Sequence, residues 1–222
     1  MMQRYGLPPE EIERQSLAMV EAAIPSCSGW TSDAREVVKR MVYAGGDLAL
    51  AGLARVHPDA VEAGVEAIRA GAPIVCDVRM VAAGLRKCAN PVHIAVDVAT
   101  VASGVPRPAG GRPHLASPTA VGEEQRVTRA AAGMQQLSVE LNRGIAVIGN
   151  APTALLALLD LIDESSCQPA LVIATPVGFV AAAESKQELL KRDVPYVTVE
   201  GTRGGSPLAA AAMNALLILA ER

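Results

Sequence analysis

Tyr43 stands in the stretch RMVYAGGD, residues 40–47, and is one of only five aromatic side chains among 222 residues. It follows Arg40 by one turn and comes just before Gly45–Gly46, so a helix over 31–44 would carry the phenol and the guanidinium together in its last turn. A phenol can donate a proton or a hydrogen bond, and a guanidinium can hold an anion beside it. The remaining groups that could do chemistry sit at turns. VIGNAPTALLALL turns through Gly149, Asn150, Pro152 and Thr153; Asn150 can cap a helix there, and Pro152 fits its first turn. Free amides at such a turn could hold a carboxylate. TPVGFVAAAESK turns through Gly178, and VEGTRGGSP sets Arg203 among glycines. Each alone reads as an ordinary strand-to-helix turn, whereas the three together point to an anionic ligand. GxGxxG and GxxxxGK[ST] are absent, which argues against a dinucleotide or a Walker-type phosphate site.

Strands and helices must bring these turns together. APIVCDV (72–78), HIAVDV (93–97 and its flank), GIAVIGN (144–150), ALVIATPV (170–177) and PYVTVEG (195–201) are continuous apolar runs, the pattern of strands buried on both faces. Helical patterns at 119–141, 152–165, 180–191 and 205–221 alternate with them. The segments 9–24, 31–44, 47–55 and 58–70 precede the first strand and read as helical. The alternation predicts an α/β fold, a three-layer α/β/α sandwich with a parallel, doubly wound five-stranded sheet and a helical amino-terminal region. In such a sheet, ligands bind outside the carboxyl ends of the strands. The Pro/Gly-rich stretch 104–122 resists assignment and reads as a lid or a mobile loop.

Composition narrows the class. Half of the chain is hydrophobic and almost none of it aromatic, so one large domain over 1–222 with an aliphatic core is expected. Twenty basic and 23 acidic residues give a formal charge of −3. Such a mixed balance predicts no nucleic-acid partner, and any anion must be bound locally. Cys27, Cys76, Cys88 and Cys167 form no CxxC pair, and His57, His93 and His114 lack metal-ligand spacing, so no metal site is expected. The charged amino-terminal stretch does not read as a secretory signal, and no apolar run is long enough to span a bilayer. A cytoplasmic protein with no membrane partner is expected.

The runs RAGAPIVCDVRMVAAGL, VTRAAAGM, GIAVIGNAPTALLALLDLI, TPVGFVAAAESKQEL and VPYVTVEGTRGGSPLAAAAMNAL together closely resemble the precorrin-8X methylmutase (precorrin isomerase) family. The resemblance runs from EEIERQS to AMNAL and is most specific between Gly149 and Lys186. It implies a homodimer with active sites at the subunit interface, and the transfer of a methyl group from carbon 11 to carbon 12 of precorrin-8X or cobalt-precorrin-8. The product would be hydrogenobyrinic or cobyrinic acid, in cobalamin biosynthesis. No cofactor is implied, since the rearrangement is intramolecular. A ring bearing many carboxylates suits scattered amide turns and arginines, and Arg40, Arg79, Arg129 and Arg203 are candidates by their placement at element ends. Thr128 of VTRAAAGM, Asn150 and Thr153 join them. Ser16 in ERQSLAM falls on one helical face with Ile12 and Met19, a placement that predicts an inward hydroxyl, and it matches the family's substrate-binding serine.

The chain departs from the family at Tyr43, where the family carries the histidine assigned to proton transfer. Ala130 also replaces a common serine. A helix C-terminus favours a cation and would raise a histidine's pKa. A phenol ordinarily titrates roughly 3.5 units above an imidazole. If about half of that difference is expressed in the transition state, the barrier rises by on the order of 2–3 kcal/mol. Two readings follow: an isomerase working through Tyr43 at reduced rate, or a non-catalytic tetrapyrrole- or corrinoid-binding paralogue.

Overall fold

The structure is a computed structural model that describes residues 6–24, 29–102 and 127–222. Its amino-terminal third is helical, as expected, with α1 (Pro9–Ala23), α2 (Ser32–Gly45), the single turn α3 (Leu50–Leu53) and, after strand β1 (Ala54–Val56), α4 (Ala60–Arg69). Helix α2 starts where the Thr31 hydroxyl accepts the Ala34 N–H at 3.2 Å. It stops at Gly46, whose φ of 60° suits a residue without a Cβ and whose N–H caps the Tyr43 carbonyl.

Strands and helices then alternate: β2 (Ile74–Cys76), α5 (Arg79–Gly84), β3 (Val92–Ile94), α6 (Ala95–Ala102), α7 (Arg129–Gln136), α8 (Ser138–Leu141), β4 (Ile145–Ile148), α9 (Pro152–Asp163), β5 (Leu171–Ala174), α10 (Ala182–Leu189), β6 (Tyr196–Val199) and α11 (Ser206–Ala220). The sheet order is β1-β6-β5-β4-β2-β3, with β2 to β6 mutually parallel. Residues of each strand alternate between two apolar layers. Ile74, Val147 and Ile173 face Val37, Met41, Met213 and Leu216 of α2 and α11, while Val75, Ile148 and Val172 face Met134, Leu155, Leu158 and Leu189 of α7, α9 and α10. This is the expected three-layer sandwich. Helix α11 is apolar nearly all round because it lies against the sheet and beneath α2 and α5. Its alanines allow close approach, and a Cβ at Gly84 would come 2.8 Å from the Ala210 methyl carbon.

Three expectations are corrected. The sheet has six strands, not five, because part of the segment read as helix 47–55 forms β1, antiparallel to β6 with Ala54 opposite Val199. Pairing over that sequence distance leaves no local periodicity to read, and it covers an edge of β6 that would otherwise be open. The strand read at 93–97 ends at Ile94, and the valines after it enter α6, which packs on α7 so closely that a Cβ at Gly133 would overlap the Ala95 carbonyl. Tertiary packing here overrides the strand preference of β-branched residues. The helix read at 119–141 is two in its described part, α7 and α8, broken at Leu137. The stretch 104–122 lies outside the described residues.

Candidate functional site

The strand order reverses between β2 and β4, the switch point at which α/β sheets open a crevice. Asp77 directly follows β2 and is fully buried. Its carboxylate accepts N–H groups from Gly149 at 3.1 Å and from Asn150 and Ala151 at 2.8 Å, all at the start of α9. The amides expected to be free for a ligand carboxylate are therefore already engaged by the protein's own, a correction to the sequence reading. Burial pushes the Asp77 carboxyl up from its ordinary value, against the pull of these amides. Burial beside Asp77 likewise pushes the Cys76 thiol up to about 12, so Cys76 is core and not a nucleophile.

Five expected residues gather round this point. The Thr153 and Thr128 hydroxyls are 2.7 Å apart, and Thr128 also caps α7 by accepting the Ala131 N–H at 3.3 Å. Arg129 donates to the Val96 carbonyl at 3.4 Å, Arg79 pairs with Asp97 at 2.6 Å, and the exposed Asn150 comes two residues before α9. Ala130 is buried in the apolar layer that holds Met134 and Leu155.

The second group lies along α11. Tyr43 is 40% exposed, so it is not core. It lines a groove of 430 Å³ with Arg40, Arg86, Ala211, Asn214 and Ile218. Across Ala211 and Asn214 the groove continues into one of 330 Å³ beside Met80, Gly84 and Ser206. The resulting trough meets the switch point at Ser206, whose Cα would lie 2.7 Å from a Cβ at Gly149. Arg40 bonds Glu36 of its own helix at 3.0 Å and Glu13 of α1 at 2.7 Å. Arg203 pairs with Asp47 at 3.2 Å and edges a further groove with Gly45 and Val177. Behind Arg203, the Lys186 ammonium donates to the Arg203 carbonyl at 2.6 Å. Lys186 is 1% exposed, and burial brings it down to about 8.

Ser16 departs from expectation. Its neighbours Ile12 and Met19 are exposed, and its hydroxyl donates to the Ile12 carbonyl at 2.7 Å. Among the described residues α1 packs mainly on α2, and its one buried residue is Val20. The Glu13–Arg40 and Glu21–Arg35 pairs run α1 antiparallel to α2, which places Ser16 level with the middle of α2 and not with Tyr43. No histidine among the described residues lines the trough: His57 packs edge-on against Tyr196 and His93 sits in β3 opposite Val75. His114 lies outside the described residues.

Sequence reasoning missed Asp77, Arg86, Asn214 and Lys186. Asp77 had a signal, a lone acid closing an apolar strand run. Lys186 had one too, inside the most family-specific stretch. Arg86 and Asn214 had none, since the contact between them spans 128 positions.

The profile of the family described as CbiC, precorrin-8X methylmutase, matches residues 11–219. The cobalt-precorrin-8 methylmutase of Priestia megaterium is 38% identical over 96% of this chain and 89% of its own length. The precorrin-8X methylmutase of Pseudomonas aeruginosa is 39% identical, over 93% and 94% respectively. The crystal structure of a precorrin-8X methylmutase from Thermus thermophilus superposes with a TM-score of 0.77 at 34% identity, covering 95% of this chain and 97% of that one. A fold and a sequence that agree over nearly the whole length leave one assignment: this chain belongs to the precorrin-8X methylmutase family.

Proposed function

We propose that this chain is the isomerase its family implies, moving a methyl group from carbon 11 to carbon 12 of precorrin-8X or cobalt-precorrin-8 in cobalamin biosynthesis. One carbon–carbon bond breaks and one forms within the same molecule, so no oxidant or group donor is needed. The ring lies in the trough along α11 with its reacting edge at Tyr43, whose phenol gives a proton to the ring as the methyl group moves and takes one back to release the isomer. Arg40, Arg79, Arg129 and Arg203, with Thr128, Asn150 and Thr153, hold its carboxylates. Ser16, donating to its own helix, offers the ring only acceptor capacity. The chain works as a homodimer, a reading supported by Phe179 at 94% exposure and Val180 at 84% on the turn after β5.

The observation that carries this reading is Tyr43 itself, half out of the core and beside two guanidiniums in a family of methylmutases. The same residue favours the second reading, a ring-binding paralogue without turnover, since no described histidine lines the trough. Turnover of the methylated precorrin, followed by visible absorption, separates them. Tyr43→His is expected to raise activity by about ten- to a thousandfold by restoring a group that titrates near neutrality. Tyr43→Phe is expected to abolish what wild type shows. A histidine variant no faster than wild type, although ligand still binds, would establish the binder.

A further inference from the structure

The Tyr43 groove has a guanidinium on each side, and the two are held differently. Arg40 is fixed by Glu13 and Glu36. Arg86 follows the end of α5 in a turn without regular structure, and α11 staples that turn in place. The Asn214 side-chain amide donates to the Gly84 carbonyl at 2.9 Å, and its oxygen accepts the Arg86 backbone N–H at 2.8 Å. An amide in so apolar a helix adds little to packing; its bonds aim the residue that follows Leu85. Among the described residues, the Arg86 guanidinium meets one anion, Glu221 at 3.0 Å, whose side chain is 62% exposed at the chain's end. Exposed pairs of this kind contribute little and are readily exchanged. Between Arg86 and Tyr43 the floor is Ala211 and Ala215, small and flat enough for the face of a ring.

We propose that Arg86, positioned by Asn214, binds a peripheral carboxylate of the macrocycle opposite Arg40, displacing Glu221, and thereby selects acid over amidated or esterified side chains. This rests on the reading of the trough as the ring site. A guanidinium is suited to the task because its planar fork matches a carboxylate with two parallel hydrogen bonds.

The test is visible-absorption titration of the full chain with hydrogenobyrinic acid and with its methyl ester. Arg86→Met is expected to weaken the acid by about ten- to a hundredfold, as for loss of a charge-assisted bond, and to leave the ester unchanged. Arg86→Lys should recover part of the loss, and Asn214→Val should reproduce part of it with the guanidinium still present. Melting by circular dichroism checks that each variant is folded. Equal weakening of acid and ester, or an unchanged acid affinity while wild type binds, would overturn the role of Arg86 and leave the ring site standing. If wild type binds neither ligand, the ring-site reading and this inference fall together.

Discussion

Tyr43 and Lys186 show how burial decides what a side chain can do. Tyr43 keeps its hydroxyl in a solvent-reached groove because Gly46 closes α2 just after it and leaves the last turn facing outward. Lys186 is the opposite case, an ammonium with a single carbonyl acceptor and almost no exposure. Its folded value of about 8 lies below the ordinary 10.5, so the charged form is the one the fold disfavours. Below pH 8 the lysine is charged both folded and unfolded, and the whole penalty is carried. As pH rises from 8 toward 10.5, the unfolded chain still holds the proton that the folded chain has shed, and this part of the stability grows. Relative to Lys186→Met, wild type is therefore expected to gain about 2 kcal/mol between about pH 7 and about pH 9.5, read by denaturant unfolding. A difference that stays flat with pH would mean that the amine is not held as the geometry indicates.

At the scale of elements, the joint between β2 and β4 organises the carboxyl end of the sheet. The Asp77 carboxylate meets the amides of Gly149, Asn150 and Ala151 in the turn that leads into α9, where unpaired N–H groups and the positive end of the helix dipole favour an anion. Removing it should leave those donors unanswered. Asp77→Ala is expected to cost about 3 kcal/mol, seen as a lowered melting temperature, and sulfate should restore part of that loss by taking the vacated helix start. Sulfate that protects wild type equally well would show that the anion acts elsewhere. The first elements of the trough, α2 and the α9 turn, were legible in the sequence because glycines and Pro152 are local signals, although Ala151 and not Asn150 is the N-cap of α9 and no side chain caps it. β1 was not, since a three-residue edge strand is defined by its partner β6 and not by its own residues.

For the whole molecule, the net charge of −3 means that no long-range field would gather a polycarboxylate, and on the proposed reading recognition falls to the guanidiniums that line the trough. The exposed Phe179–Val180 tip at the same end of the sheet is the surface that association between copies would cover. Sedimentation is expected to give twice the 22.9 kDa chain mass, and Phe179→Asp to shift the chain toward monomer with a parallel loss of ring binding. A monomeric wild type that binds ring normally would refute the dimer and show that one copy completes the site.

The sequence by itself determined the layered α/β architecture, the two-sided burial of the central strands and the turns at their carboxyl ends, because apolar runs, caps and glycines act within a few residues of one another. It also marked Tyr43 by its scarcity and its place before a glycine pair. Only the tertiary structure decided which anion seats are open. Asp77 engages the amides just before α9, Asn214 fixes the Arg86 backbone, and the Glu13–Arg40 and Glu21–Arg35 pairs set Ser16 level with the middle of α2. Each of those outcomes depends on a contact between residues distant in the chain, and no local pattern records which of two distant groups will meet.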